Sequence, residues 1–239
     1  MGCSNRASAA GRAHALLDPR HWGGRTLIRS WRRGACGAGL GGVLLASVSP
    51  DAFVVESFVA ECQAVRARVD WPEAIAAILR RAIEQPEAIA RAISERGVSA
   101  TFGFDVFLQS TDLTILQIEG PAGLLGPPHD HATVAVVAIY AGTEGYRAYR
   151  REGSRVLETA RIEAQAPDVA ILRENLVHAI DNTATRGASS LHVYGNSHFD
   201  AKERRLWNPW TFEEVAFNPE TQLTWTRALT EAQARSGLT

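Results

Sequence analysis

Two periodicities divide the chain. Between Asp51 and Gly97 the apolar residues recur at helical spacing, with Phe53, Val54, Phe58, Val59, Cys62 and Val65 in "DAFVVESFVAECQAVRARV" forming the first stripe. "DWPEAIAAILRRAIEQ" predicts a second helix, with Asp70 as its N-cap, Pro72 in its first turn and Ile75, Ile78, Leu79 and Ile83 on its apolar face. "QPEAIARAISERG" repeats the design, with Pro86 at the start and Gly97 at the stop. From residue 100 the pattern changes to short segments rich in Val, Ile, Leu and Tyr: "DLTILQIEG", "TVAVVAIYAG", "GYRAYRREG", "RVLETARIEA", "DVAILREN", "HAIDN" and "SSLHVYG". Gly, Pro, Asn or Asp breaks them about every ten residues, which predicts an all-β sandwich or barrel rather than alternating βα units. The tail "PWTFEEVAFNPETQLTWTRALTEAQARSG" reads as an extended wrap followed by a short helix.

The organisation expected is therefore an extension over 1–47, a helical lead-in over 48–98 and a β barrel with a C-terminal wrap over 99–239. The extension is rich in Arg, Gly and Ala, has Asp18 as its one acid, and shows neither period. It reads as a disordered extension, an Arg-rich transit-like peptide, or an export signal in which Arg32 and Arg33 precede a glycine-interrupted apolar stretch.

Composition narrows the partners. A net charge of -1 over 239 residues gives no reason to expect nucleic acid or an anionic membrane surface. No apolar run approaches the roughly 18 residues that span a bilayer. Cys3, Cys36 and Cys62 fit no disulfide framework or zinc motif, so a reducing cytoplasm is the expected compartment.

The candidate chemistry lies in "GPPHDHATVAVVAIYAG", where His129 and His131 follow a Gly-Pro-Pro turn. On a strand, side chains two apart share a face, so these two imidazoles project together. His178 opens another segment, and a barrel can bring it beside them. Three neutral imidazoles make a site for divalent iron, zinc, copper or nickel. "SSLHVYG" places Ser190, His192 and Tyr194 on one face of a further strand, with Leu191 and Val193 on the other.

These strings resemble the cupins, double-stranded β-helix (jelly-roll) proteins. Their first motif runs His-x-His, a Glu a few residues on, and then a Gly; here Gly142 is in place but Ala135 stands where the Glu would be. The second motif ends in His-x-x-x-Asn, matched by His178 and Asn182. A cupin with three histidines and no carboxylate resembles the thiol dioxygenases: cysteine dioxygenase and, more closely, 3-mercaptopropionate dioxygenase. That resemblance covers residues 113 to about 207 and implies Fe(II) held by His129, His131 and His178, with Ser190, His192 and Tyr194 as a catalytic relay. It implies a small thiol and O2 as partners and a sulfinic acid as product.

Two departures matter. Animal-type cysteine dioxygenases join a cysteine five residues past the second histidine to the tyrosine; here that position is Val136. "TFGFDVFLQS" lacks the arginine with which those enzymes bind a substrate carboxylate, whereas "FDAKERRLWNP" offers Arg204 or Arg205 after the tyrosine strand, as in the mercaptopropionate branch. Arg204 is thus the expected carboxylate contact, and Val134 and Val136 the expected dry wall beside the substrate. A metal-storing cupin and a cupin dioxygenase with a non-thiol substrate are the competing readings.

Overall fold

A computed structural model describes residues 52–97 and 103–236, so the extension over 1–47 and its three readings lie outside the described residues. Three helices come first. Helix α1 (Val55–Val65) buries Val55, Phe58 and Cys62; α2 (Trp71–Ala82) buries Ile75, Ala76, Ile78 and Leu79; α3 (Pro86–Glu95) buries Ala88, Ile89 and Ile93. Pro72 and Pro86 open α2 and α3 where a missing N–H costs nothing, and Gly97 follows α3 at φ 72°. Asp70 occupies the N-cap position of α2 but does not cap it. Its carboxylate is drawn instead to Arg68, at 2.7 and 2.9 Å.

Nine strands follow: β1 (Phe104–Gln109), β2 (Thr114–Pro121), β3 (Ala135–Glu152), β4 (Arg155–Gln165), β5 (Asp168–Leu172), β6 (Val177–Ile180), β7 (Gly187–Tyr194), β8 (Arg205–Trp207) and β9 (Glu214–Ala216). Every pairing between these strands is antiparallel. The long strand β3 organises the barrel. Its first half lies between β7 and β5, and its second half between β4 and β6. One strand thus pairs with four others, and β1 to β7 close as a single seven-stranded antiparallel jelly-roll sheet.

The sequence pattern separates "TVAVVAIYAG" from "GYRAYRREG", but the structure joins them in β3. Gly142, at φ 76°, bends the strand without ending it. A Cβ there would stand 2.1 Å from the carbonyl oxygen of Gly187 on β7. Replacing Gly142 with Ala should therefore lower unfolding free energy by about 2–4 kcal/mol, from the left-handed backbone and the overpacking together. A shifted urea midpoint at unchanged m-value would measure it; an unchanged midpoint would mean that β7 gives way freely.

Strand alternation then divides the core. Ile115, Val136, Ala138, Leu191 and Val193 face outward and pack with the buried stripes of α1, α2 and α3. Leu116, Ala135, Val137, Ile139 and Tyr194 face into the barrel. Each large apolar side chain buried between helices and sheet contributes about 1.5–3 kcal/mol, which is why the lead-in sits on this face.

The tail also differs from the pattern reading. After β8 and β9 comes helix α4 (Pro219–Ser236), which runs for 18 residues where a short helix is expected. Its stripe is weak and it buries no residue fully, so local sequence understates it. No helix among the described residues is long and apolar enough to cross a membrane.

Candidate metal centre

Backbone pairing brings the first and last of the three histidines together. His129 N–H donates to His178 O at 2.9 Å, and His178 N–H donates to His129 O at 3.0 Å. Strand β8 backs the other side of this segment: Trp207 N–H donates to Pro128 O and Asp130 N–H to Arg205 O, at 2.9 and 3.1 Å. Ala132, at φ 49°, then turns the chain from His131 into β3. The ligand atoms of His129, His131 and His178 lie within 4.8 Å of one another, and all three residues are buried.

The donor set fits a divalent metal. Burial pushes the imidazoles of His129 and His131 well below the ordinary histidine range, helped by neighbouring histidines and Arg204. Burial, with Arg204 behind it, brings His178 down to about 4. All three are neutral at pH 7 and hold a lone pair ready for a metal. His129 Nδ1 lies 3.1 Å from Pro127 O, so Nδ1 carries the proton and Nε2 the lone pair. His178 Nδ1 is buried with no hydrogen-bond partner, a cost that a bound ion would relieve. Asp130, between the first two histidines, turns away: it pairs with Arg151 and accepts from Arg205 N–H at 2.8 Å.

The polar face of β7 adjoins this group. Ser190 Oγ lies 2.9 Å from His192 Nε2, and His192 Nδ1 lies 2.9 Å from the Tyr194 hydroxyl. The Tyr194 ring stands edge-on to His131, 4.9 Å between centroids. Burial lowers His192 to about 3 and raises the Tyr194 hydroxyl above its usual range. The row is therefore neutral, and its two hydrogen bonds can run in either direction. Asn182 of the second motif is a tie, not a ligand. Its side chain accepts from Gly145 N–H at 2.9 Å and donates to Gly120 O at 3.0 Å, joining β3 to β2.

These groups open on one cavity of about 420 Å³. All five histidines among the described residues line it: His129, His131, His178, His192 and His198. Its other walls are largely apolar, with α4 contributing Leu223 and Thr226 at the mouth and Thr230 accepting from Leu125 N–H at 3.1 Å. Neither Val134 nor Val136 is part of the lining. Val136 is fully buried on the helix side of β3, and its neighbour Val137 faces the cavity instead. The parity of the strand, set by His192 lying across from Val137, corrects the expected dry wall by one residue.

Arg204 does not line the cavity either. It is fully buried; Nε donates to Asp130 O at 3.1 Å, and Nη1 donates to His198 O at 2.8 Å and lies 3.2 Å from His198 Nε2. Its guanidinium stacks on Phe217, 3.5 Å from the ring centroid, and it is Phe217 that faces the cavity. Nη2 has no partner. Arg205 pairs with Glu214 across the β8–β9 hairpin, at 3.2 Å.

Three residues of the site escape a sequence reading. His198 stacks on Tyr194 with centroids 3.8 Å apart, but it sits in the irregular "GNSHFD" loop, where no period marks it. Glu144 and Tyr146 line the cavity from β3, with the Tyr146 hydroxyl donating to Glu144 Oε2 at 2.9 Å. Their alternate spacing is visible in "TEGYRAY", yet a glutamate on a strand ordinarily marks the solvent face.

No protein-family model matches the chain, and no curated protein matches it. Among solved structures it is similar to the DMSP lyase DddQ from Ruegeria pomeroyi DSS-3, at 16% identity over 65% of this chain and 96% of that one, with a TM-score of 0.42. It is also similar to a double-stranded β-helix protein from Klebsiella pneumoniae (17% identity, 47% and 91% covered, TM-score 0.34). The third similarity is to oxalate decarboxylase from Bacillus subtilis, at 18% identity over 40% of this chain, with a TM-score of 0.32; the chain spans 24% of that enzyme. What the fold and the site establish together is an antiparallel jelly-roll barrel whose three-histidine group can hold a metal ion.

Proposed function

We propose that the protein is a non-haem Fe(II) thiol dioxygenase, converting a thiol and O2 to the sulfinic acid. The observation that carries this reading is one juxtaposition: three neutral histidines without a carboxylate, beside a buried Ser190–His192–Tyr194 row that ends against His131. Fe(II), when bound by His129, His131 and His178, supplies a Lewis-acidic, redox-active centre at which both atoms of O2 can pass to a thiolate sulfur. Three uncharged ligands leave the ion's charge undiminished, which favours an anionic partner such as a thiolate.

The protein's own residues do the rest. The Tyr194 hydroxyl, its proton held by burial, donates a hydrogen bond within the cavity or passes it back to His192 Nδ1. Ser190 fixes the far nitrogen of that ring, so the tyrosine's orientation is set before substrate arrives. Val137, Leu172 and Ile180 keep the wall beside the histidines dry. The carboxylate-bearing substrate implied by the resemblance is not part of this proposal, because among the described residues no arginine or lysine lines the cavity.

Oxygen uptake by the iron-loaded protein tests the reading, with a panel of thiols set against alcohols and enolisable ketones of similar size. Thiol-dependent uptake with one sulfinate formed per O2 is expected. Uptake driven only by a non-thiol would assign another dioxygenase chemistry, and metal binding without uptake on any substrate would assign a binding protein.

A further inference from the structure

Of the three acids that line the cavity, Glu119 is held by Gln117 and Ser189, Glu220 is exposed, and Glu144 is buried with an oxygen that nothing satisfies. Glu144 is 1% exposed, and only Oε2 is satisfied, by Tyr146. Oε1 is buried with no hydrogen-bond partner. Burying a carboxylate oxygen without a donor is costly, so such an atom in a cavity wall marks a place where a ligand completes the bonding. The acid also stands at a definite remove from the histidines. The Tyr146 ring meets His178 at 6.1 Å between centroids, and the hydroxyl on its other end reaches Glu144. One tyrosine side chain thus links the acid to the metal ligands. The space fits: about 420 Å³ exceeds what a thiol of five or six heavy atoms fills.

We propose that Glu144 reads a hydrogen-bond donor on the substrate, and that the cavity's occupant is a thiol on an apolar body of about ring size that also carries an N–H or O–H group. The placing of the sulfur rests on the thiol reading above; the donor contact rests on Glu144 alone. Tyr146 is then a positioning residue, holding the carboxyl so that Oε1 faces the space between the apolar walls.

Calorimetric titration of the full-length chain loaded with Zn(II), which cannot turn over O2, separates this contact from catalysis. Three probes of nearly equal size suffice: 4-(hydroxymethyl)benzenethiol, 4-(aminomethyl)benzenethiol and 4-ethylbenzenethiol. At least one of the first two should bind about ten- to a hundred-fold more tightly than the ethyl compound. Which of them does so tells a hydroxyl from an amine. Glu144→Leu should erase that advantage while leaving 4-ethylbenzenethiol bound at least as well as before, which also shows that the variant folds. Glu144→Gln, which keeps an acceptor oxygen and the shape, should retain the advantage of the hydroxymethyl probe if that is the favoured one. Equal affinity of the three probes for the unaltered protein, an advantage that survives Glu144→Leu, or no binding of any probe would each overturn the proposal. Failure of the dioxygenase reading has a different signature: no oxygen uptake with iron, yet the same ranking of probes with zinc.

Discussion

Replacing His178 with alanine should leave a folded protein that holds almost no iron. The unaltered chain should take up roughly one Fe(II) after anaerobic loading; His129→Ala, His131→Ala and His178→Ala should each fall close to zero. Losing an outer hydrogen-bond partner of a metal ligand typically costs 10–100-fold in affinity, and losing one of three ligands should exceed about a hundredfold. The fold should survive, because the pairing of the His129 and His178 segments runs through their backbones, at 2.9 and 3.0 Å. His178→Ala even removes a cost, since its Nδ1 is buried without a partner. Metal analysis and circular dichroism on the three variants measure both halves. Full iron content in all three would remove the site, and collapse of the fold in all three would mean that the rings are structural.

The second large effect is at Arg204. Its removal strands the carbonyls of Asp130 and His198 in a buried setting and leaves a void beneath Phe217. Unpaired buried groups cost about 1–3 kcal/mol each, so Arg204→Ala should lose several kcal/mol of stability. Activity should fall with it, through His198. An arginine can only donate, so the 3.2 Å contact makes His198 Nε2 the acceptor and leaves the proton on Nδ1, with the ring stacked on Tyr194. Without Arg204 that ring is free to turn. We therefore expect kcat/KM to drop about ten- to a hundred-fold for 3-mercaptopropionate and for 2-mercaptoethanol alike. A loss confined to the acid would instead restore Arg204 as a carboxylate contact, through its unpartnered Nη2.

Much of this molecule follows from local rules. The stripes Ile75–Ile78–Leu79 and Ile89–Ile93 need only the helical period and a proline at each start to become one face of a helix packed on a sheet. A two-residue period puts Ser190, His192 and Tyr194 on a common face, and the two hydrogen bonds between them are short-range consequences of that spacing. His129 and His131 were likewise legible as a pair from the His-x-His string, whereas His178 joins them only through its backbone pairing with His129.

What chain order could not decide is which face of each strand looks inward and what lies across from it. Val136 and Val137 are the same residue type side by side, and only the pairing of Val137 with His192 assigns one to the cavity and the other to the helices. Gly142 shows the same limit in the backbone: a glycine that punctuates a sequence is, in the barrel, the bend that lets one strand pair with β7 before it and β4 after it. His198, Glu144 and Arg204 go further. No local pattern marks any of them as buried, yet each is, and partners more than fifty residues away close over two of them: Asp130 over Arg204 and His131 over His198. Burial of a charged or titratable group depends on tertiary contacts that satisfy it, and those are a property of the closed barrel and not of any segment within it.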